Sequence, residues 1–196
     1  MDKTDKENNP PARTREQILN ESMRLFIRFG YLGVSMRQIA EACGVSKAAL
    51  YYHFAQKQDI FFTIMNDALL ELGRVLDARL AGQTGIRAQV GAVTQAFFSL
   101  SSDQRAVIRL ASQEMVHLEP EAQQQFQARY QALFLNKISA LFTAGIRNGD
   151  LVPLDPGLYL WAYLGMIYPF LQGQTDAHID PAVLTDLFLG GALKHE

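Results

Sequence analysis

The chain has 196 residues, 48% of them apolar, and a formal net charge of −2, which suits one fair-sized domain or a small one joined to a larger one. Cys43 is the only cysteine, so an intrachain disulfide is excluded and a thiolate zinc site is not expected. The N-terminus is polar, without a signal-peptide pattern, and the longest apolar run, Leu158–Leu171, falls short of the roughly twenty residues a membrane span needs; the expectation is a soluble, cytoplasmic protein with no membrane partner. Charge is unevenly spread. Residues 1–57 carry nine Lys/Arg against six Asp/Glu, and residues 58–196 carry nine against fourteen. A basic head on an acidic body points to a nucleic-acid contact confined to the N-terminal part.

Residues 1–12 are polar, end in Pro10-Pro11 and have nothing to bury, so they read as a disordered tail. Thr14-Arg15-Glu16-Gln17 has the spacing of a capping box and opens a helix to about Phe29, with Ile18, Ser22, Leu25, Phe26 and Phe29 on one face. Gly30 suits the C′ position that ends it.

The stretch Ser35–Lys57, SMRQIAEACGVSKAALYYHFAQK, carries the function. Ser35-Met36-Arg37-Gln38 is a second capping box, with Val34 and Ile39 placed as its hydrophobic staple. After Gly44 the pattern returns: Ser46 can cap, and Val45 and Leu50 can staple. Two helix starts separated by one glycine describe a helix-turn-helix, and Cys43 reads as a small packing residue within it. A long helix follows from about Lys57 to Leu80, broken at Gly82–Gly85. Further helices are expected at about 86–100, 103–117, 120–148, 155–173 and 180–194, with no strand-like alternation.

The block from Thr14 to about Phe61 resembles the DNA-binding domain of TetR/AcrR-type transcriptional regulators. The residues that carry the likeness are Phe26, Gly30, Ser35, Ile39, Ala40, Gly44, Val45, Ser46, Leu50, Tyr51, His53, Phe54 and Lys57. Ser35 stands where threonine is commoner in that family, and Cys43 where alanine is usual. The resulting expectation is an all-α protein of about nine helices. A helix-turn-helix domain over 13–57 would be joined by a long helix to an effector-binding and dimerisation domain over 58–196.

On the second short helix, Leu50 and Phe54 lie four apart and face inward. Lys47, Ala48 and Tyr51 then share the opposite face, the one a recognition helix offers to the major groove. Lys47 can donate to guanine O6 and N7, Ala48 can meet a thymine methyl, and Tyr51 can bond a base edge or phosphate; Ser46 stands beside them. The resemblance implies backbone contacts for Ser35, Arg37, Ala49, Tyr52, His53 and Lys57.

It also implies homodimerisation through the last two helices, where Leu158–Leu171 is apolar around the whole helix and so reads as buried on all sides. It further implies an unknown small-molecule effector. From the aromatic and methionine content of the C-terminal half, the effector is expected to be apolar or aromatic, and no cofactor or metal is expected. Candidate lining residues are Phe97, Phe98, Arg109, Gln113, Met115 and His117, followed by Tyr130, Phe134, Trp161, Tyr163, Met166 and Tyr168. One rival is a metal enzyme, because Glu114-x-x-His117 is the unit that di-iron bundles use. It occurs once, and no nucleophile–base arrangement or phosphate loop accompanies it. A non-enzymatic transcriptional repressor that binds a palindromic operator as a dimer is the expected function.

Overall fold

The structure, a computed structural model, describes residues 10–172 and 179–192. Every regular element among those residues is a helix; there is no strand. The helices are α1 (Pro10–Phe29), α2 (Met36–Cys43), α3 (Lys47–His53), α4 (Lys57–Leu80), α5 (Ile86–Phe98) and α6 (Ser102–Glu114). They are followed by α7 (Pro120–Tyr130), α8 (Asn136–Asn148), α9 (Pro156–Leu171) and α10 (Pro181–Ala192). A 3₁₀ turn (Met115–His117) precedes α7. A π turn (Gln131–Leu135) joins α7 to α8 without a break, so the described residues form nine helical rods. None is long and apolar enough to cross a membrane.

Two compact units result. The first runs up to Asp67 and takes in Leu110–Gln123; the second comprises Ala68–Arg109 and the chain from Gln124. The units therefore do not follow a single cut at residue 57.

In the first unit α1 begins at Pro10, four residues before the capping box expected at Thr14. Proline has φ preset and no N–H to satisfy, so Pro10-Pro11 can form the first turn, and Thr14 lies inside the helix. Pro10–Ala12, expected as tail, are thus helical; the rest of that stretch lies outside the described residues. Ile18, Ser22 and Phe26 on α1 are fully buried, as the period requires. Phe29 departs from it: as the last helical residue it is 48% exposed, and the Arg28 guanidinium lies 4.9 Å from its ring centre.

Gly30 takes the left-handed conformation, φ 71°, and its N–H donates to the Phe26 carbonyl at 2.9 Å, closing α1. Phe26, Tyr31 and Phe61 then form a triangle of rings with centroids 4.9–5.9 Å apart. Leu110–Gln123 belongs to this unit through its own contacts: the Glu119 N–H donates to Gln58 Oε1 at 2.8 Å, and the Glu114 carboxylate lies against Gly30.

The second unit has one apolar core. α10 packs on α5, and α9 packs on α8 and α5, around Val93, Phe97, Phe142, Tyr163, Leu164 and Leu189. Gly73 on α4 faces the Leu133 carbonyl of the π turn at ordinary van der Waals distance, and Lys137 pairs with Asp77 beside it. α9 is not buried on all sides within one chain. Leu158 and Trp161 are 57% and 58% exposed, and Ala162 and Gly165, further along the same helix, are exposed too. On α10, Val183 and Leu187 are 58% and 67% exposed. Each helix buries one face and leaves another apolar face open. The expected end of the last helix at Lys194 lies outside the described residues.

Candidate nucleic-acid interface

The α2–α3 pair is set by its caps. Gln38 N–H donates to Ser35 Oγ at 3.3 Å while Ser35 N–H donates to Gln38 Oε1 at 2.8 Å, so each side chain accepts from the other residue's otherwise orphan backbone N–H. At the other end Gly44 adopts φ 64°, ψ 28°. Its N–H donates to Glu41 O and that of Val45 to Ala40 O, the paired bonds of a Schellman motif. Gln17 Nε2 donates to the Cys43 carbonyl at 3.0 Å, fixing this turn to α1. Ser46 Oγ accepts from Ala49 N–H at 3.1 Å and starts α3.

α3 is only seven residues long, and its orientation is fixed by Leu50 and Phe54, which are 0% and 5% exposed. Burying that side turns Lys47, Ala48, Tyr51 and Tyr52 outward; the two tyrosines are 52% and 82% exposed. Ala49 and His53 are half-buried, and the His53 ring meets Tyr52 edge-on at 5.2 Å. Arg37 is exposed and paired to Glu41 at 3.2 Å. The helix carries no acidic residue. Large aromatic side chains left this exposed beside a lysine, on a helix with no acidic residue, suit a polyanion with stacked, hydrogen-bonding edges.

Lys57 is different. Its ammonium donates to the carbonyls of Tyr31 and Val34, each at 2.7 Å, and lies 4.2 Å from the Tyr31 ring centre. Burial lowers its pKa, and the nearby Glu114 carboxylate opposes that shift. Sequence reasoning had no means of seeing these partners, which lie 26 and 23 residues upstream on a loop.

The effector candidates separate. Phe97, Phe134 and Tyr163 are buried in the second unit, with Phe97 and Phe134 in edge contact at 5.6 Å. Tyr130 stacks on Phe126 and Phe134, and its hydroxyl bonds that of Tyr168. Burial, then the Tyr168 neighbour, pushes the Tyr130 pKa up. Phe98 packs on Phe170, Met166 is half-buried, and Arg109 donates to the Leu171 carbonyl at 3.4 Å. Trp161 lies on the open face of α9 rather than in the core. Gln113 and His117 are exposed, and they belong with Met115 to the first unit. His117 lies 3.7 Å from Glu114. Among the described residues no three His, Cys, Asp or Glu side chains are grouped to hold a metal. Sequence reasoning missed Thr94 and Thr185, which bond in the core beside Tyr163; threonines 91 residues apart give no signal.

A capped helix pair around a left-handed glycine, presenting lysine and tyrosine from its second helix, defines a DNA-binding transcriptional regulator of the helix-turn-helix class. Residues 18–64 match the family described as bacterial regulatory proteins, tetR family. Over 199 aligned residues, covering 98% of this chain and 86% of the relative, it is 28% identical to the HTH-type transcriptional regulator RutR of Escherichia coli (strain K12). It is 30% identical over 66 residues to the HTH-type transcriptional repressor AcnR of Corynebacterium glutamicum, covering 34% of this chain and 35% of that one. The fold matches AibR, whose structure is in complex with isovaleryl coenzyme A and operator DNA, at a TM-score of 0.76 and 23% identity. That match covers 92% of this chain and 98% of AibR. Residues 18–64 therefore carry the tetR-family domain, and the chain as a whole is similar to TetR-type regulators.

Proposed function

We propose that this regulator is a ligand-released repressor that binds a palindromic operator as a homodimer. The observation that carries the reading is the outward face of α3, where Lys47, Ala48, Tyr51 and Tyr52 stand clear of the core. Residues 13–57 are the DNA-binding part, with Ser35, Arg37, Ser46, Ala49 and His53 along its rim. A protein with this task acts on DNA in the cytoplasm and needs no catalytic group.

The open apolar faces of α9 and α10 support the dimer. Exposed Leu158, Trp161, Val183 and Leu187, interspersed with Ala162, Gly165 and Gly190, suit close packing against the same face of a second copy. The aromatic core of the second unit supports an apolar or aromatic effector, with Phe97, Phe134, Tyr130 and Tyr163 the residues it would displace or touch. AibR, of the same fold, was solved with an acyl thioester and operator DNA, and AcnR is named as a repressor.

α4 begins in the first unit and ends in the second. Effector binding that shifts α4 alters the spacing of two recognition helices, and half-sites about 34–36 Å apart tolerate little change. The coupling is reciprocal: DNA and effector favour different conformations.

The test begins with sites selected by the full-length protein from a random duplex pool. Binding to a selected duplex is then followed at fixed salt while apolar carboxylic acids, their coenzyme A thioesters and aromatic compounds are added. Selection of a palindrome and release by one of these classes is expected. An effector that binds tightly yet leaves operator affinity unchanged overturns the release mechanism.

A further inference from the structure

Phosphate contact is what the family resemblance implies for Lys57, and the geometry assigns it a different task. An ammonium has three protons. At Lys57 two are directed at the Tyr31 and Val34 carbonyls at 2.7 Å, and the Tyr31 ring lies 4.2 Å away on another side. The group is therefore largely coordinated before DNA arrives. A phosphate could draw on only the one remaining proton unless a short charge-assisted hydrogen bond to the turn were surrendered.

What it holds is the connection on which the helix-turn-helix depends. Residues 30–34 form a turn with Gly30 left-handed and with Gly33 so close to α1 that an added Cβ would lie 2.2 Å from the Phe29 carbonyl oxygen. The next residue is Ser35, the N-cap of α2. α2 packs on α1, and α3 packs on α2. A displaced turn would move the start of α2 and, through it, the face of α3. The Glu114 carboxylate lies against Gly30 at the same turn, so Lys57 meets a negative neighbour from within its own unit.

We propose that Lys57 is a positioning residue for DNA recognition: its ammonium straps the Tyr31–Val34 turn to the first turn of α4, fixing α2 and α3, and makes no phosphate contact. The inference rests on the reading of α3 as the recognition helix.

Each phosphate neutralised by a lysine contributes about 0.9 to the slope of log K against log salt. Binding of the full-length protein to a duplex it has itself selected is measured across salt concentrations for wild type, Lys57→Met and Lys47→Ala. Lys57→Met keeps the apolar stem and removes the charge. The expected result is weaker binding at every salt concentration with the wild-type slope, together with faster amide hydrogen exchange over 31–43 in the free protein. A slope lower by about 0.9 per subunit, with exchange unchanged, overturns the proposal.

Should Lys57→Met fail to fold, the wild-type protein decides. Amine acylation read by mass spectrometry should find Lys57 slow in free protein and no slower with DNA, while Lys47 is fast when free and protected by DNA. A Lys57 that reacts readily when free and is protected only by DNA overturns the proposal. If Lys47 gains no protection and wild type shows no salt-dependent binding, the recognition-helix reading has failed instead.

Discussion

The hydroxyls of Thr94 on α5 and Tyr163 on α9 lie 2.8 Å apart inside the second unit, where the two residues are 0% and 2% exposed. Thr94 also donates to the Val90 carbonyl at 2.9 Å, and Thr185 Oγ1 from α10 lies 3.2 Å from Thr94 Oγ1. Three helices are thus tied by hydroxyls in an otherwise apolar core. Among them are both helices whose outer faces are left open, so the network sets how those faces are presented.

Tyr163→Phe removes the Tyr163 hydroxyl while Thr94 keeps its bond to Val90. The expected loss is about 0.5–1.5 kcal/mol, the usual net worth of one hydrogen bond, read from urea unfolding. The effect depends on pH with a definite sign. Burial pushes the Tyr163 pKa above the ordinary 10.0, opposed by the Thr94 bond. Above about pH 10 the unfolded chain gives up this proton and the native chain keeps it, so stability falls as pH rises. Below that pH the residue adds no slope. Between pH 8 and 10.5 the wild type should therefore lose more stability than Tyr163→Phe. Equal losses would show that the tyrosine is not held neutral in the core.

Two glycines separate space from conformation. Gly44 has nothing within 4 Å of an added Cβ, but its φ is +64°; Gly44→Ala should cost about 1–2 kcal/mol, the penalty of the left-handed region. At Gly33 the obstacle is the Phe29 carbonyl oxygen 2.2 Å from the Cβ position, and backbone must move. Gly33→Ala should be the more damaging of the two, by unfolding midpoint and by loss of DNA binding. The opposite ranking would contradict the geometry of the α1–α2 turn.

Ser22 is the reverse case. Its hydroxyl is fully buried on α1 and has no hydrogen-bond partner. Ser22→Ala removes an unsatisfied polar atom and raises helix propensity by about half a kcal/mol. A stability gain of about 0.5–2 kcal/mol is expected in a thermal melt; a loss of comparable size would mean the hydroxyl is paired in solution.

The caps at Ser35 and Ser46, the turn at Gly44 and the bounds of α4 were legible in the sequence because each depends on residues within one turn of the chain. The start of α1 was misplaced, since Thr14 to Gln17 satisfies a capping pattern that Pro10-Pro11 pre-empts. The π turn at Gln131–Leu135 left no mark in a hydrophobic pattern that simply continues through it. Side-chain partners far along the chain were invisible, and for that reason Lys57 read as a surface cation and Thr94 as nothing at all. Trp161 read as a lining residue because apolarity alone does not say which face of a helix is core.

The exposed faces of α9 and α10 test the dimer. A charge placed in an apolar interface without a partner costs several kcal/mol, whereas on a solvent-exposed residue of a monomer it costs little. Leu187, 67% exposed in the single chain, distinguishes these cases. Leu187→Asp should sediment near the monomer mass of 21.9 kDa, keep its helical circular dichroism, and lose affinity for a two-half-site duplex far more than for one half-site. A variant that remains dimeric would move the interface elsewhere.

Base readout is concentrated at few positions. Ala48 and Ala49 offer little to hydrogen-bond, so Lys47 and Tyr51 bear most of any direct reading, and DNA shape contributes the rest. Lys47 is exposed in the first turn of α3, and a lysine there can donate to guanine O6 and N7. Lys47→Ala should cost about 1–3 kcal/mol on the selected operator and relax preference at one base pair in each half-site. Tyr52→Ala, removing a rim contact, should weaken all sequences by a similar factor. Sequencing pools enriched by wild type and both variants separates the outcomes. If Lys47→Ala enriches the wild-type consensus unchanged, Lys47 does not read a base and the groove orientation assigned to α3 is wrong.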